Sequence, residues 1–281
     1  MVAAALAFSV MSMLVKWAGE TLPTMQVVLA RSVVVLAIAW ALLGRRGTSP
    51  WGGRPKLLLL RGVLGFVALS SFYYAVIHLP LADATVIQYT NPVFTALLAG
   101  LFLAERLRGL ELALILLSLA GVVVMTRPTL IFGGEAAALD PLATGVALTG
   151  ALFSGAAYVT VRALGATEEP LVVVFYFALV STVLSLPLVI PSDAWPQGAD
   201  WGLLAGVGVS TYLGQIWLTE GLRRERAGRA MAVGYLQIVF AAVWGFLIFT
   251  EVPDRWTVAG GLLIVACTWA IGRLRAPAGA P

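Results

Sequence analysis

With 281 residues, 60% of them hydrophobic and only 11% charged, and a mean hydropathy of +0.94, the chain is excluded from the ordinary water-soluble class, where about a quarter of residues are charged. Its apolar runs are continuous rather than alternating, which excludes a β-barrel and leaves helices to satisfy the backbone across roughly 30 Å of hydrocarbon. The one cysteine, Cys267, excludes a disulfide framework or CxxC metal centre, and the formal charge of +4 has its meaning in loop placement rather than in nucleic-acid binding.

Segmentation at charges, Pro and Gly predicts ten spans: 2–16, 24–43, 57–77, 81–103, 109–126, 141–161, 170–190, 201–219, 229–250 and 256–272. They use nearly the whole chain and leave no room for a soluble domain. The first is short, but it lacks the basic n-region of a signal peptide. In the second, Arg31 stands about eight residues in, or roughly 12 Å deep at 1.5 Å per residue. The third carries Ser70, Ser71, Tyr73 and Tyr74 and ends at His78, the sole histidine, which is read either as a proton sensor at the outer mouth or as a solvated turn residue.

The fourth span holds a polar knot, Gln88, Tyr89, Thr90 and Asn91, followed by Pro92. Counted by rise per residue, the knot falls at mid-membrane. Pro92 lacks an N–H, so the Gln88 carbonyl loses its helical donor. Such groups must face protein or a watery cavity rather than lipid. Two readings stay open: interhelical glue, and the lining of a substrate cavity.

Later spans repeat the mixture of apolar wall and occasional polar group. Tyr158 lies on the sixth, Tyr176 on the seventh, Tyr212, Gln215 and Trp217 on the eighth, and Tyr235, Gln237 and Trp244 on the ninth. A pocket for a small amphipathic molecule wants this composition. Trp17, Trp51, Trp195, Trp201 and Trp256 lie near span ends and are read as interfacial anchors. Gly202, Gly206, Ser210 and Gly214, spaced by four on the eighth span, permit close helix packing, with Pro92, Gly206 and Gly214 as candidate hinge positions. Glu105, Glu220 and Glu251 fall at helix ends, and no carboxylate lies at a span centre.

Charge placement orients the whole. Loop 44–61 carries Arg45, Arg46, Arg54, Lys56 and Arg61, and loop 220–229 carries Arg223, Arg224, Arg226 and Arg229. With both termini in the cytoplasm, the inside loops and tail gather 14 of the 18 basic residues and the outside loops hold Lys16, Arg127 and Arg255. Arg31 belongs to neither set.

A shift of 146 residues lays 82–106 over 228–252, pairing Tyr89 with Tyr235, Asn91 with Gln237 and Glu105 with Glu251. Five spans per half is an odd number, so the second half enters the membrane upside down, as in many secondary transporters whose substrate site lies between the halves. Each half ends in a hairpin of small residues, apolar run, Glu, short turn and Gly-rich apolar run: Ala96 to Gly121 around Glu105, and Ala242 to Gly272 around Glu251. On these features the chain resembles the EamA-type drug/metabolite transporter superfamily, in its ten-helix branch. It is most similar there to bacterial amino-acid exporters, including the aromatic-amino-acid branch.

The resemblance implies an all-α membrane protein of two inverted five-helix repeats, 1–128 and 141–273, joined by a loop at 129–140 and followed by a tail at 274–281. It implies export of amino acids or similar small metabolites across a bacterial inner membrane by alternating access. Candidate substrate contacts are Arg31, Ser71, Tyr74, Gln88, Tyr89, Asn91, Tyr212, Tyr235 and Gln237. No cofactor, metal, catalytic residue, nucleic acid or obligatory protein partner is expected, since HExxH, GxSxG and His-rich constellations are missing. Three alternatives remain: an exporter of drugs or other organic metabolites, a multidrug-cation antiporter, which would use a buried carboxylate, and a phosphate-ester or nucleotide-sugar antiporter, which would use several deep cations.

Overall fold

The computed structural model describes residues 1–19, 21–79, 81–105, 108–132, 140–189, 196–249 and 252–274. Among the described residues there are thirteen helices and no strand: α1 Val2–Ala18, α2 Thr24–Arg46, α3 Pro55–His78, α4 Leu81–Gln88, α5 Asn91–Phe102, α6 Gly109–Thr126, α7 Thr129–Phe132, α8 Pro141–Leu164, α9 Pro170–Val189, α10 Asp200–Arg224, α11 Ala227–Val233, α12 Leu236–Phe249 and α13 Arg255–Arg273. Among the described residues, seven segments are long and apolar enough to cross a membrane, and α1 is a shorter apolar helix. Leu97, Leu101, Phe102, Leu262 and Trp269 point outward from the bundle. In water such a surface would be a liability, but against lipid it is the solvated face. The chain is an all-helical, multi-pass membrane protein.

Local chemistry sets the helix ends. Pro55, Pro92 and Pro141 occupy first turns, where a missing N–H costs nothing. Asp140 and Asp254 accept from Leu142 N and Thr257 N to cap α8 and α13. Gly52 takes φ +63, and a Cβ there would lie 2.6 Å from the Glu168 carboxylate, so both backbone and space require glycine.

Four expectations change. Span four is two helices, α4 and α5, broken at Tyr89–Thr90. Span nine, expected to be continuous, breaks into α11 and α12 at Gly234–Tyr235. The loop at 44–61 is shorter than expected, because α3 starts at Pro55 and draws Arg61 into the bundle with 2% of its surface exposed. Likewise α10 continues to Arg224, and Arg229 is a buried residue of α11 rather than a loop cation. The joining segment 129–140 contains α7 at its start. Trp195, Glu251, and most of that joining segment and of the tail lie outside the described residues.

Packing runs between distant parts of the chain. α1 lies on α10, α3 on α8, α2 on α9 and α6 on α13. Flanking these, α5 meets α8, α1 meets α12, α3 meets α9 and α2 meets α10. Small residues make the crossings close: Gly155 faces the backbone of Phe94 and Thr95, and Gly121 faces Gly260.

Polar contacts then sort to two ends of the bundle. At one end Glu168 accepts from Gly53 N and Arg54 N at 2.9 and 2.7 Å, and Glu105 accepts from Arg162 Nε and Ala227 N at 2.7 and 2.8 Å. Arg229 there donates to the carbonyls of Ile271 and Leu274, closing the C-terminus of α13. At the other end Thr21 donates to Asp200 at 3.1 Å and Arg127 pairs with Asp254 at 2.6 Å.

Candidate functional site

The two helix breaks face each other. Because Pro92 has no N–H, the Gln88 carbonyl would be orphaned, and Asn91 Nδ2 donates to it at 2.8 Å. Thr90 Oγ1 bonds the Ile87 carbonyl at 2.6 Å and Thr95 Oγ1 the Asn91 carbonyl at 2.8 Å, completing the junction. Across from it, at the α11–α12 break, the fully buried Tyr235 donates its hydroxyl to the Tyr89 carbonyl at 3.0 Å. The two tyrosine rings stack with centroids 5.8 Å apart. The α11–α12 break thus supplies a donor to the irregular backbone of the α4–α5 break.

A polar band extends from this junction to the flanking helices. Gln88 Nε2 donates to Ser154 on α8 at 3.2 Å. On the opposite side, Gln237 Nε2 reaches Ser12 at 3.4 Å and Trp244 Nε1 reaches Ser9 at 3.0 Å, both on α1. The side-chain oxygens of Gln88 and Asn91 are buried and find no donor. Such unpaired acceptors are uncommon in scaffold positions.

The remaining sequence-predicted residues are dispersed. Arg31 on α2 is 5% exposed, and the hydrogen bond described for it is a weak one from Nη1 to Met11 Sδ at 3.9 Å. Tyr74 stacks on His78 at 4.0 Å, and the imidazole Nδ1 lies 2.8 Å from the Tyr74 carbonyl, so His78 closes the end of α3. Ser71 lines a cavity of about 360 Å³ with Leu142, Gly145 and Thr149, near the start of α8 and away from the break. Tyr212 packs in an apolar cluster with Val35, Val174 and Ala178. Gly206 and Gly214 lie under Leu14 and Phe8 of α1, as close-packing positions. Only Gln88, Tyr89, Asn91 and Tyr235 form one contiguous set.

Arg61 was missed by the sequence reading. Its Nη2 donates to Gln215 Oε1 on α10 at 3.4 Å, and its guanidinium carbon sits 4.4 Å from the ring centre of Phe177 on α9. Tyr158 on α8 lies within electrostatic reach of both Arg61 and Tyr89, linking this cation to the break. The signal was present: Leu57 to Leu60 precede Arg61, so the apolar run begins before the charge. Glu111 was missed as well. It is fully buried at the start of α6, accepts from Arg108 N at 2.9 Å, and lies 3.7 Å from Arg229. A second cavity, about 420 Å³, opens between Glu105, Arg162 and Arg223. No group of three His, Cys, Asp or Glu side chains that could hold a metal occurs among the described residues.

Residues 1–127 and 142–273 match the model of a family described as the EamA-like transporter family. The chain is 36% identical to the pseudopaline exporter CntI of Pseudomonas aeruginosa, over 98% of this chain and 95% of that one. It is 28% identical to an S-adenosylmethionine uptake transporter of Rickettsia felis, over 76% of this chain and 71% of that one. A solved crystal structure superposes with a TM-score of 0.77 over 96% of both chains at 21% identity, a likeness of fold alone.

Proposed function

The chain belongs to the EamA-like transporter family, as a multi-pass membrane transporter of small metabolites, and on that premise we propose that it exports amino acids or similar metabolites by alternating access. The observation that carries this reading is the meeting of two broken helices at Tyr89 and Tyr235, because irregular backbone at membrane depth is tolerated where it lines a cavity or is buried in protein. Gln88 and Asn91, whose side-chain oxygens lack donors, are the polar contacts for cargo, with Tyr89, Tyr235 and Gln237 around them. Arg31 holds the carboxylate of an amino acid with two parallel hydrogen bonds. Ser71, Tyr74 and Tyr212 border the path farther out, and Pro92, Gly206 and Gly214 mark where helices repack.

The packing pattern supports ten spans in two inverted halves, 1–128 and 141–273. Exchange of the halves turns α1 on α10 into α8 on α3, α5 on α8 into α12 on α1, and α3 on α9 into α10 on α2. The pairs α2 with α9 and α6 with α13 map onto themselves. A two-fold axis in the membrane plane would give this set. The basic loops favour cytoplasmic termini in a bacterial inner membrane. Similarity over nearly full length to an exporter favours outward transport. The matched family and relatives are transporters rather than enzymes.

The test is a panel of radiolabelled amino acids, with amides and esters as controls, loaded into proteoliposomes. Efflux above that of empty liposomes is expected for at least one amino acid and is expected to fall with Gln88→Leu. No efflux of any amino acid, with efflux of another metabolite, would replace the cargo while leaving the transporter standing.

A further inference from the structure

Arg61 is a cation inside the bundle with two of its three guanidinium nitrogens unused as donors. Its Nε and Nη1 are buried and have no acceptor among the described residues, where Nη2 has the long 3.4 Å bond to Gln215. No carboxylate among the described residues pairs with it. Burial of an unpaired guanidinium costs several kcal/mol in general, so a position like this one calls for a compensating group.

The surroundings keep that position open rather than filling it. A Cβ on Gly65, one turn along α3, would collide with Arg61 Nη1 and with the Phe177 ring, so glycine preserves the space the guanidinium occupies. Phe177 covers one face of the guanidinium, which leaves the edge carrying the N–H groups for a ligand. The residues come from α3, α9 and α10, hence from both sides of the proposed division between halves. Arg61 stands six residues past Pro55, about 9 Å from the end of the bundle that carries the basic loops. Arg31, seven residues past Thr24 on the antiparallel α2, stands about as far from the opposite end.

We propose that Arg61, with Gln215, is a carboxylate-binding site on the transport path, between the basic-loop face and the polar band at Tyr89. The inference rests on the transporter reading and adds a residue and a ligand class to it. A guanidinium presents parallel donors that match a carboxylate. One cation and one neutral amide balance a single negative charge, which favours a monoanionic carboxylate over a phosphate dianion. Gln215 supplies the amide for the cargo's second polar group.

The experiment uses the full chain in nanodiscs and reads the thermal unfolding midpoint against concentration of L-phenylalanine and benzoate. L-phenylalaninamide, benzamide and inorganic phosphate serve as separate arms. The carboxylates are expected to raise the midpoint and their amides not to. In Arg61→Lys, which keeps charge but loses the fork, apparent affinity is expected to fall at least about tenfold, the equivalent of one charge-assisted hydrogen bond. Gln215→Leu provides a second variant should Arg61→Lys fail to fold, and is expected to weaken binding of the same carboxylates.

Equal binding by wild type and Arg61→Lys overturns the proposal, as does a wild type that responds to no carboxylate. A response to phosphate alone overturns the ligand class. A fall in the ligand-free midpoint of Arg61→Lys with unchanged affinity assigns Arg61 to packing on Phe177 and also overturns it. Flux of the same probes in proteoliposomes separates the two readings. Arg61-dependent binding without flux leaves the site and removes amino-acid export as the proposed activity. Flux without Arg61-dependent binding does the reverse.

Discussion

Asn91 has a structural duty that its position in the sequence did not disclose. Its Nδ2 occupies the Gln88 carbonyl, so Asn91→Ala leaves that carbonyl unpaired and is expected to cost about 1–3 kcal/mol of stability as well as transport. Gln88→Leu separates the site from the scaffold better. It removes an amide oxygen that has no donor and one bond to Ser154, so the unfolding midpoint should move little while flux falls. Wild-type flux in Gln88→Leu would take the polar band out of the path. Outside the membrane, Asp254 accepts from Thr257 N and Oγ1 and pairs with Arg127, and the Thr257 backbone bond, first among these, holds its carboxyl below the usual carboxylate range. A depressed folded pKa means that the contribution is complete above the unfolded value, about 3.9, and is lost as pH falls through the folded value. Asp254→Asn should therefore flatten the acid limb of stability below about pH 4 and leave neutral pH dependence unchanged, measured by unfolding midpoint against pH. At this scale the knot at 88–92 was legible, because Pro92 and two amides in an apolar run have no cheap alternative. Arg61 was not, because it was counted with the basic loop 44–61 although the apolar run from Leu57 already enclosed it.

Among the elements, α6 and α13 test whether close packing or glycine content governs stability. A Cβ on Gly260 would lie 2.5 Å from the Gly121 carbonyl oxygen and 2.8 Å from Met125 N, both backbone atoms that cannot swing aside. On the adjacent Gly261, a Cβ would find Val239 at an ordinary 4.0 Å. Gly260→Ala is expected to cost about 1–3 kcal/mol by forcing the helices apart. Gly261→Ala should be neutral or gain up to about 1 kcal/mol from helix propensity. Thermal unfolding of the two variants in one lipid checks the contrast, and equal losses would show that the crossing adapts. Helix existence was readable from apolar run length, since lipid imposes it, and Pro55, Pro92, Pro141 and Pro170 mark starts in the sequence itself. The break between α11 and α12 was not readable from its own residues. Gly234 adopts an ordinary right-handed conformation with φ −60, and no proline follows. The clue lay in the 146-residue offset, which sets Tyr235 over Tyr89 and so lays one break over the other.

At the scale of the whole molecule, opening toward the basic-loop end requires specific bonds to part. Glu168 ties the start of α3 to the α8–α9 turn, and Glu105 ties Arg162 to the start of α11. Each joins the first part of the chain to the second, as a gate would under the proposed alternating-access mechanism. Lys and Arg counts in the loops give an expected orientation, because membrane insertion reads them there, whereas these carboxylate ties depend on tertiary approach that no local pattern encodes. Replacing both carboxylates, in Glu105→Gln with Glu168→Gln, removes the charge from each tie while keeping its shape. We expect the population to shift toward a form open at that end. A cysteine at Ser154, beside Gln88 in the polar band, reports the shift in a background where Cys267 is replaced. Its labelling by an impermeant thiol reagent applied from the basic-loop side should rise several-fold, on the order of the ratio that about 1 kcal/mol produces. Reporter cysteines at Ser49 and Gln197 identify which side that is. If the termini are cytoplasmic, Ser49→Cys reacts only in inverted vesicles and Gln197→Cys in intact cells. Labelling at Ser154→Cys that does not change in the double variant would remove Glu105 and Glu168 as a gate and leave them as ties within a rigid end of the bundle.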